Sequence, residues 1–228
     1  MYNFDRYKTL IEKLLKAGLK PTTNWNKKLD ADTLFLRHDI DFSISYAHQI
    51  ALVEYNLNVK STFFFMLTCN MYNFLSEHNQ RLVKNISEMG HKISLHFDFK
   101  ANKDLDSFRR EKKIFENITN VTIDIVSLHR PGSFLNNNNS TLQGIPQTYQ
   151  DIYYKNMLYI SDSGGKNILS LVNEYLNKTR DRGLHLLTHP IWWINEHDKP
   201  TIKLNSWRSK YFDFITSQIR ANCKTYEQ

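Results

Sequence analysis

Six short apolar runs recur along the chain: TLFLRHDID (33–41), STFFFML (61–67), KISLHFD (92–98), IDIVSLHR (123–130), MLYISDS (157–163) and LHLLTHP (184–190). Bulky, aromatic and β-branched residues fill them with little alternation, which predicts strands covered on both faces. The segments between them carry helical spacing. Ile44, Ala47, Ile50, Ala51 and Val53 predict a helix over 43–56. Leu75, Leu82, Val83 and Ile86 predict one over 72–89, which Gly90 stops. Helices are likewise predicted over 104–118, 167–177 and 205–222, and the N-terminal twenty residues form an amphipathic helix. Strand alternating with helix predicts βαβ units and a mostly parallel sheet, in one domain over 1–228. Only 130–156 breaks the rhythm, with its Asn run and its Gly and Pro punctuation. A loop of that length in a compact protein is usually functional or mobile.

Composition narrows the partners. A chain of 228 residues suffices for one α/β barrel or one doubly wound sheet. The net charge of +7 is spread without a run of five or six like charges, so no nucleic-acid partner is expected. A basic surface equally suits a phosphate-bearing or membrane-proximal glycan. Cys69 and Cys223 are too few and too far apart for a disulfide framework or a thiolate zinc site. The N-terminus has no apolar h-region, and no stretch approaches about 18 uninterrupted apolar residues. The expectation is a cytoplasmic protein with no transmembrane segment.

The chemistry gathers where the apolar runs end. The first ends in Asp39 and Asp41, the third in His96 and Asp98, the fourth in His129 and Arg130, the fifth in Asp162 and Ser163, the sixth in Thr188 and His189. In parallel α/β folds, and in barrels above all, active sites are built at the C-terminal ends of strands. Carboxylates and histidines from separate strands supply oxygen and nitrogen ligands for a divalent metal such as Zn²⁺. A spare carboxylate can then act as base and a histidine across the pocket as acid, which is metal-assisted hydrolysis. No G-x-S-x-G, H-E-x-x-H, G-x-x-x-x-G-K-[ST] or G-x-G-x-x-G occurs. Taken alone, Asp39 and Asp41 could equally be a helix N-cap and a partner for Arg37; the coincident strand ends favour catalysis. His129 could be a ligand or a hydrogen-bond partner of a carboxylate. His38, which a pleat turns away from Asp39, reads as structural, as do His91 and His185. Trp192 and Trp193 suit stacking on sugar rings or packing in the core.

At these residues the sequence resembles the polysaccharide deacetylase superfamily, the NodB-homology domain of carbohydrate esterase family 4. The likeness runs from Thr33 to Pro190, in the family's motif order, and is nearest a divergent WbmS-like branch found with surface-polysaccharide biosynthesis. RHDID looks like the first motif, which implies Asp39 as catalytic base and Asp41 as metal ligand. NVKSTFFF (58–65) is similar to the second-strand signature, and EMGHKISLH (88–96) implies His96 as a metal histidine. HRPG (129–132) resembles the motif whose arginine orients the base, here Arg130. ISDSGG falls where a motif closes one side of the groove, with Asp162 as a substrate contact beside Trp192 and Trp193. LLTHP (186–190) implies His189 as general acid. The family's second metal histidine falls on Lys100, which leaves His129 as candidate replacement, or the metal weak or absent. The implied fold is an irregular, incomplete (β/α) barrel, TIM-barrel-like with mostly parallel strands. The implied activity is metal-dependent removal of an acyl group from an acetylated sugar, free, nucleotide-linked or lipid-linked. The alternatives are a catalytically inactive barrel that binds a glycan or partner, and a hydrolase of small non-peptide C–N bonds.

Overall fold

A computed structural model describes residues 4–99, 104–132, 139–195 and 197–226. Helix α1 (Asp5–Lys16) leads into a two-residue strand β1 (Lys20–Pro21). There follow β2 (Thr33–Ile40), α2 (Ile44–Asn56), β3 (Thr62–Phe65), α3 (Glu77–Glu88), β4 (Lys92–Asp98), α4 (Leu105–Thr119) and β5 (Ser127–His129). The second part holds α5 (Asp151–Tyr154), β6 (Leu158–Ser161), α6 (Leu169–Leu176), β7 (Leu184–Thr188) and α7 (Pro200–Asn222). Each of the six predicted strands is present, β4 with the predicted bounds and the other five shorter. β1 is additional, a pair of residues too short for any periodicity to reveal.

All strand pairs are parallel, in the order β5-β4-β3-β2-β7-β6, with β1 beside the start of β2. The chain thus steps outward from β2 in one direction through β5 and returns to β2 from the other side through β6 and β7. That is the order of a barrel with an opening between β5 and β6, an incomplete (β/α) barrel. The described end of the irregular connection, from residue 139 to 156, borders β5 at the opening. Gln147 bridges to Val126 in parallel register, and Thr148 N–H donates to the Val126 carbonyl (3.0 Å).

Every residue of β2 is buried, as a strand covered on both faces requires. Its two faces meet different surroundings. Leu34, Leu36 and Ile40 join the layer between sheet and helices, with Ile50 and Ala51 of α2 and Leu10 and Leu14 of α1. Phe35 faces the barrel interior, where a separate cluster of Trp25, Phe64, Ile125, Tyr153 and Met157 plugs the lower end. Trp25 stacks flat on Phe35, with centroids 4.2 Å apart and planes 2° from parallel. Its indole N–H donates to Thr62 Oγ1 (3.1 Å), and its carbonyl accepts from Tyr153 O–H (2.7 Å). With the lower end filled, the polar groups further along the same strands stand above an apolar floor. Trp25→Ala opens a cavity in that floor and is expected to lower stability by about 3–5 kcal/mol in urea unfolding.

Candidate active site

Parity along the strands assembles the site. Residues two apart on a strand share a face, so Arg37 and Asp39 join Phe35 inside the barrel, and His96 follows Ser94 on β4. The register sets Asp39 level with Phe64 and His96 level with Ser127. Asp41 lies just past the end of β2. It is not the cap of α2, because Ser43 fills that place and accepts from Tyr46 N–H (3.4 Å).

Asp39 is buried and gripped from one side. Arg37 donates to both its oxygens, Nε to Oδ1 at 2.9 Å and Nη2 to Oδ2 at 2.6 Å. Ser127 Oγ lies 3.1 Å from each carboxylate oxygen, 2.6 Å from Arg37 Nη2 and 2.9 Å from His96 Nδ1. A serine hydroxyl has one proton. Donated to the ionised Asp39, it leaves Ser127 Oγ to accept from Arg37 and from a protonated His96 Nδ1. The His96 lone pair is then on Nε2, the atom facing Asp41. Burial works to raise the Asp39 carboxyl, but the adjoining Arg37 guanidinium holds the group down, at about 2. Tyr149 O–H, 3.3 Å from Arg37 Nη2, adds a further contact.

Asp41, His96 and His129 converge, with one ligand atom from each within 4.8 Å of the others. Asp41 Oδ1 lies 3.3 Å from His96 Nε2 and 3.5 Å from His129 Nδ1, and those two nitrogens are 3.2 Å apart. This oxygen is buried and has no hydrogen-bond partner among the described residues. An unsatisfied buried carboxylate oxygen is costly. Placed against two imidazole nitrogens, it matches the donor set of a divalent cation.

His189 approaches the other oxygen of Asp41, with Nε2 3.7 Å from Oδ2. Its Nδ1 is 2.6 Å from Asp162, which also accepts from the His189 backbone N–H (3.0 Å) and from Trp193 Nε1 (2.8 Å). Burial would depress the imidazole, but the Asp162 carboxylate overrides it and lifts the group to about 9. Asp39, Asp41, His96, His129 and His189 line a cleft of about 260 Å³ together with Arg130, Tyr149 and Trp192.

Three expectations need correcting. Arg130 does not hold Asp39. It sits in a left-handed backbone conformation (φ 49°) one residue past β5, its side chain is more than half exposed, and it pairs with Asp98. Arg37, on the strand of Asp39 itself, does the gripping. Asp162 is not placed to touch substrate, being 1% exposed with its oxygens committed to His189 and Trp193. Trp193 is buried edge-on against Tyr7 (5.3 Å), which leaves Trp192 as the tryptophan facing the cleft. Lys100 lies outside the described residues. Arg37 was expected only as the partner in a structural pairing, which it does make with Asp39, and Ser127 was not expected at the site. The parity of Arg37 with Asp39 was available as a signal; the long-range approach of Ser127 was not.

No protein-family model and no curated relative matches the chain. Solved structures do. One is a mutant, with restored enzymatic activity, of a carbohydrate esterase family 4 pseudoenzyme of Bacillus anthracis (15% identity, 82% of this chain and 64% of that one, TM-score 0.48). Another is a peptidoglycan deacetylase from Bacillus subtilis (13% identity, 88% and 98% covered, TM-score 0.48). A third is a family 4 acetyl xylan esterase from Clostridium thermocellum in complex with a cobalt ion (14% identity, 78% and 84% covered, TM-score 0.42). The structural neighbours are thus polysaccharide deacetylases and esterases of family 4. The chain spans just under two thirds of the length of the first. Likeness at this level assigns neither activity nor substrate.

Separating the two arginines tests the geometry. Arg37→Met strands the buried Asp39 charge and is expected to cost about 3–5 kcal/mol of stability. Arg130→Met, at a pair whose arginine is more than half exposed though Asp98 is buried, should cost less than Arg37→Met in the same unfolding measurement.

Proposed function

We propose that this chain is a metal-dependent hydrolase that removes an acyl group, acetyl foremost, from an N-acetylated sugar or surface-polysaccharide precursor. One observation carries the reading: the unpartnered Asp41 Oδ1 faces His96 and His129, while Asp39 and His189 stand within 4 Å of the same triad. Asp41, His96 and His129 would hold the cation, and zinc suits one carboxylate with two imidazoles. Such an ion, when bound, brings a water pKa from 15.7 to about 7 and polarises a carbonyl.

The chain's own groups do the rest. Asp39 accepts the proton of the attacking water on an oxygen fixed by Arg37 and Ser127. A carboxylate held near pKa 2 is a weak base, so it suits a water already made acidic rather than bulk water. As the water oxygen bonds to the acyl carbon and the C–N bond breaks, His189 delivers its Nε2 proton to the leaving nitrogen. Asp162 behind it keeps that proton in place at neutral pH. Trp192 offers an apolar wall for a sugar ring, and the basic surface suits a substrate carrying phosphate, nucleotide-linked or lipid-linked.

Asp39→Asn keeps the volume and removes the proton acceptor. Amine release from a panel of acetylated sugars should fall on the order of 10²–10⁴-fold. His129→Ala should lose stoichiometric divalent metal in elemental analysis. Unchanged turnover in Asp39→Asn sinks the assignment. Sugar binding without turnover at any added metal would instead make the barrel a binding module, and turnover of small amides alone would move the substrate class.

A further inference from the structure

Asp39 does not use all of Arg37. A guanidinium carries its N–H groups on three nitrogens. Nε and Nη2 give theirs to Asp39, Ser127 and Tyr149. Nη1, the nitrogen turned away from the carboxylate, is buried with no hydrogen-bond partner among the described residues. Buried donors left unanswered are costly.

His185 has the opposite deficit. It lies on β7 level with Phe35, two residues below Arg37, and its ring meets Trp25 edge-on at 5.3 Å, so it faces the barrel interior. Its Nδ1 is 3.1 Å from the Tyr153 carbonyl. A carbonyl oxygen only accepts, so Nδ1 carries the proton and Nε2 is a bare lone pair. Nε2 is likewise buried without a partner among the described residues. Burial and the nearby Arg37 charge push the imidazole down to about 3, which keeps it neutral. With strands about 4.8 Å apart and about 3.3 Å of rise per residue, the two Cα atoms are about 8 Å apart. Tyr159, level with His185 on β6, borders the same space, its ring 5.1 Å from the imidazole.

An unanswered donor and an unanswered acceptor in one enclosed place select the occupant. An anion would meet the Nε2 lone pair, and a cation would meet the guanidinium. A neutral molecule that accepts on one side and donates on the other answers both, and water is the smallest that does so.

We propose that Arg37 Nη1 and His185 Nε2 hold one ordered water between them, above the Trp25–Phe35 stack that keeps bulk solvent out. The water accepts from Nη1 and donates to Nε2, which ties the Arg37–Asp39 pair to β7 as Ser127 ties it to β5. The inference goes beyond the acyl-hydrolase reading and does not depend on it, since its test reads electron density and the place of a proton, not turnover. High-resolution diffraction from the parent chain should show a water about 2.7–3.2 Å from both atoms. In His185→Phe, a ring of similar size with no acceptor, that water should be lost while Arg37 stays on Asp39. A second measurement needs no variant: nitrogen NMR of the parent should find His185 protonated on Nδ1 and bare at Nε2 over about pH 5–8. Density without the water, either atom bonded to another group, a water that persists in His185→Phe, or a proton on Nε2 overturns the proposal.

Discussion

A guanidinium and a carboxylate two residues apart on one buried strand set the terms for the rest of the site. Neither Arg37 nor Asp39 reaches solvent to any useful extent. Withdrawing both from water costs several kcal/mol per ion, which only close, doubly bonded geometry offsets. The parallel register supplies that geometry by bringing Ser127 from β5 and His96 from β4 alongside. Below the pair, Trp25 and Phe35 exclude water; above it, the strands end and the cleft opens. The pair thus fixes where the acceptor oxygen of Asp39 points and, through Ser127, which nitrogen of His96 is free.

The opposite face of β2 offers an instructive contrast. His38 points away from Asp39 toward α2, where its Nε2 meets Glu54 at 2.9 Å and its Nδ1 meets Thr188 at 2.7 Å. Tyr7 and Ser61 each donate to Glu54 at 2.5 Å. The Glu54 oxygens are satisfied by these partners, so this buried network holds helices to the sheet and offers nothing to a ligand. Inside the barrel Arg37 Nη1, His185 Nε2 and Asp41 Oδ1 are buried without a hydrogen-bond partner among the described residues, and the Asp41 oxygen faces two imidazole nitrogens.

Much of this was legible in the chain. The strands and the helices between them follow from runs and periodicity, and the polar groups at the strand ends mark which mouth of the barrel carries the candidate site. What was not legible is pairing across distance. Arg130 follows His129 in the order that a familiar motif suggests, yet a left-handed turn carries it to Asp98. Arg37 could have been chosen by parity alone. Asp162 and Trp193 look like groove residues in sequence, and only their burial behind His189 shows that they orient it. Ser127 is one hydroxyl among many until β4 and β5 are brought side by side.

The function proposed above requires that Asp41, His96 and His129 together hold a divalent cation. The most direct measurement is anomalous diffraction from crystals grown with zinc. One ion is expected at about 2.0–2.2 Å from each of Asp41 Oδ1, His96 Nε2 and His129 Nδ1, with Arg37 still on Asp39. An ion bound elsewhere, or no anomalous peak beside the unpartnered Asp41 oxygen, would contradict it.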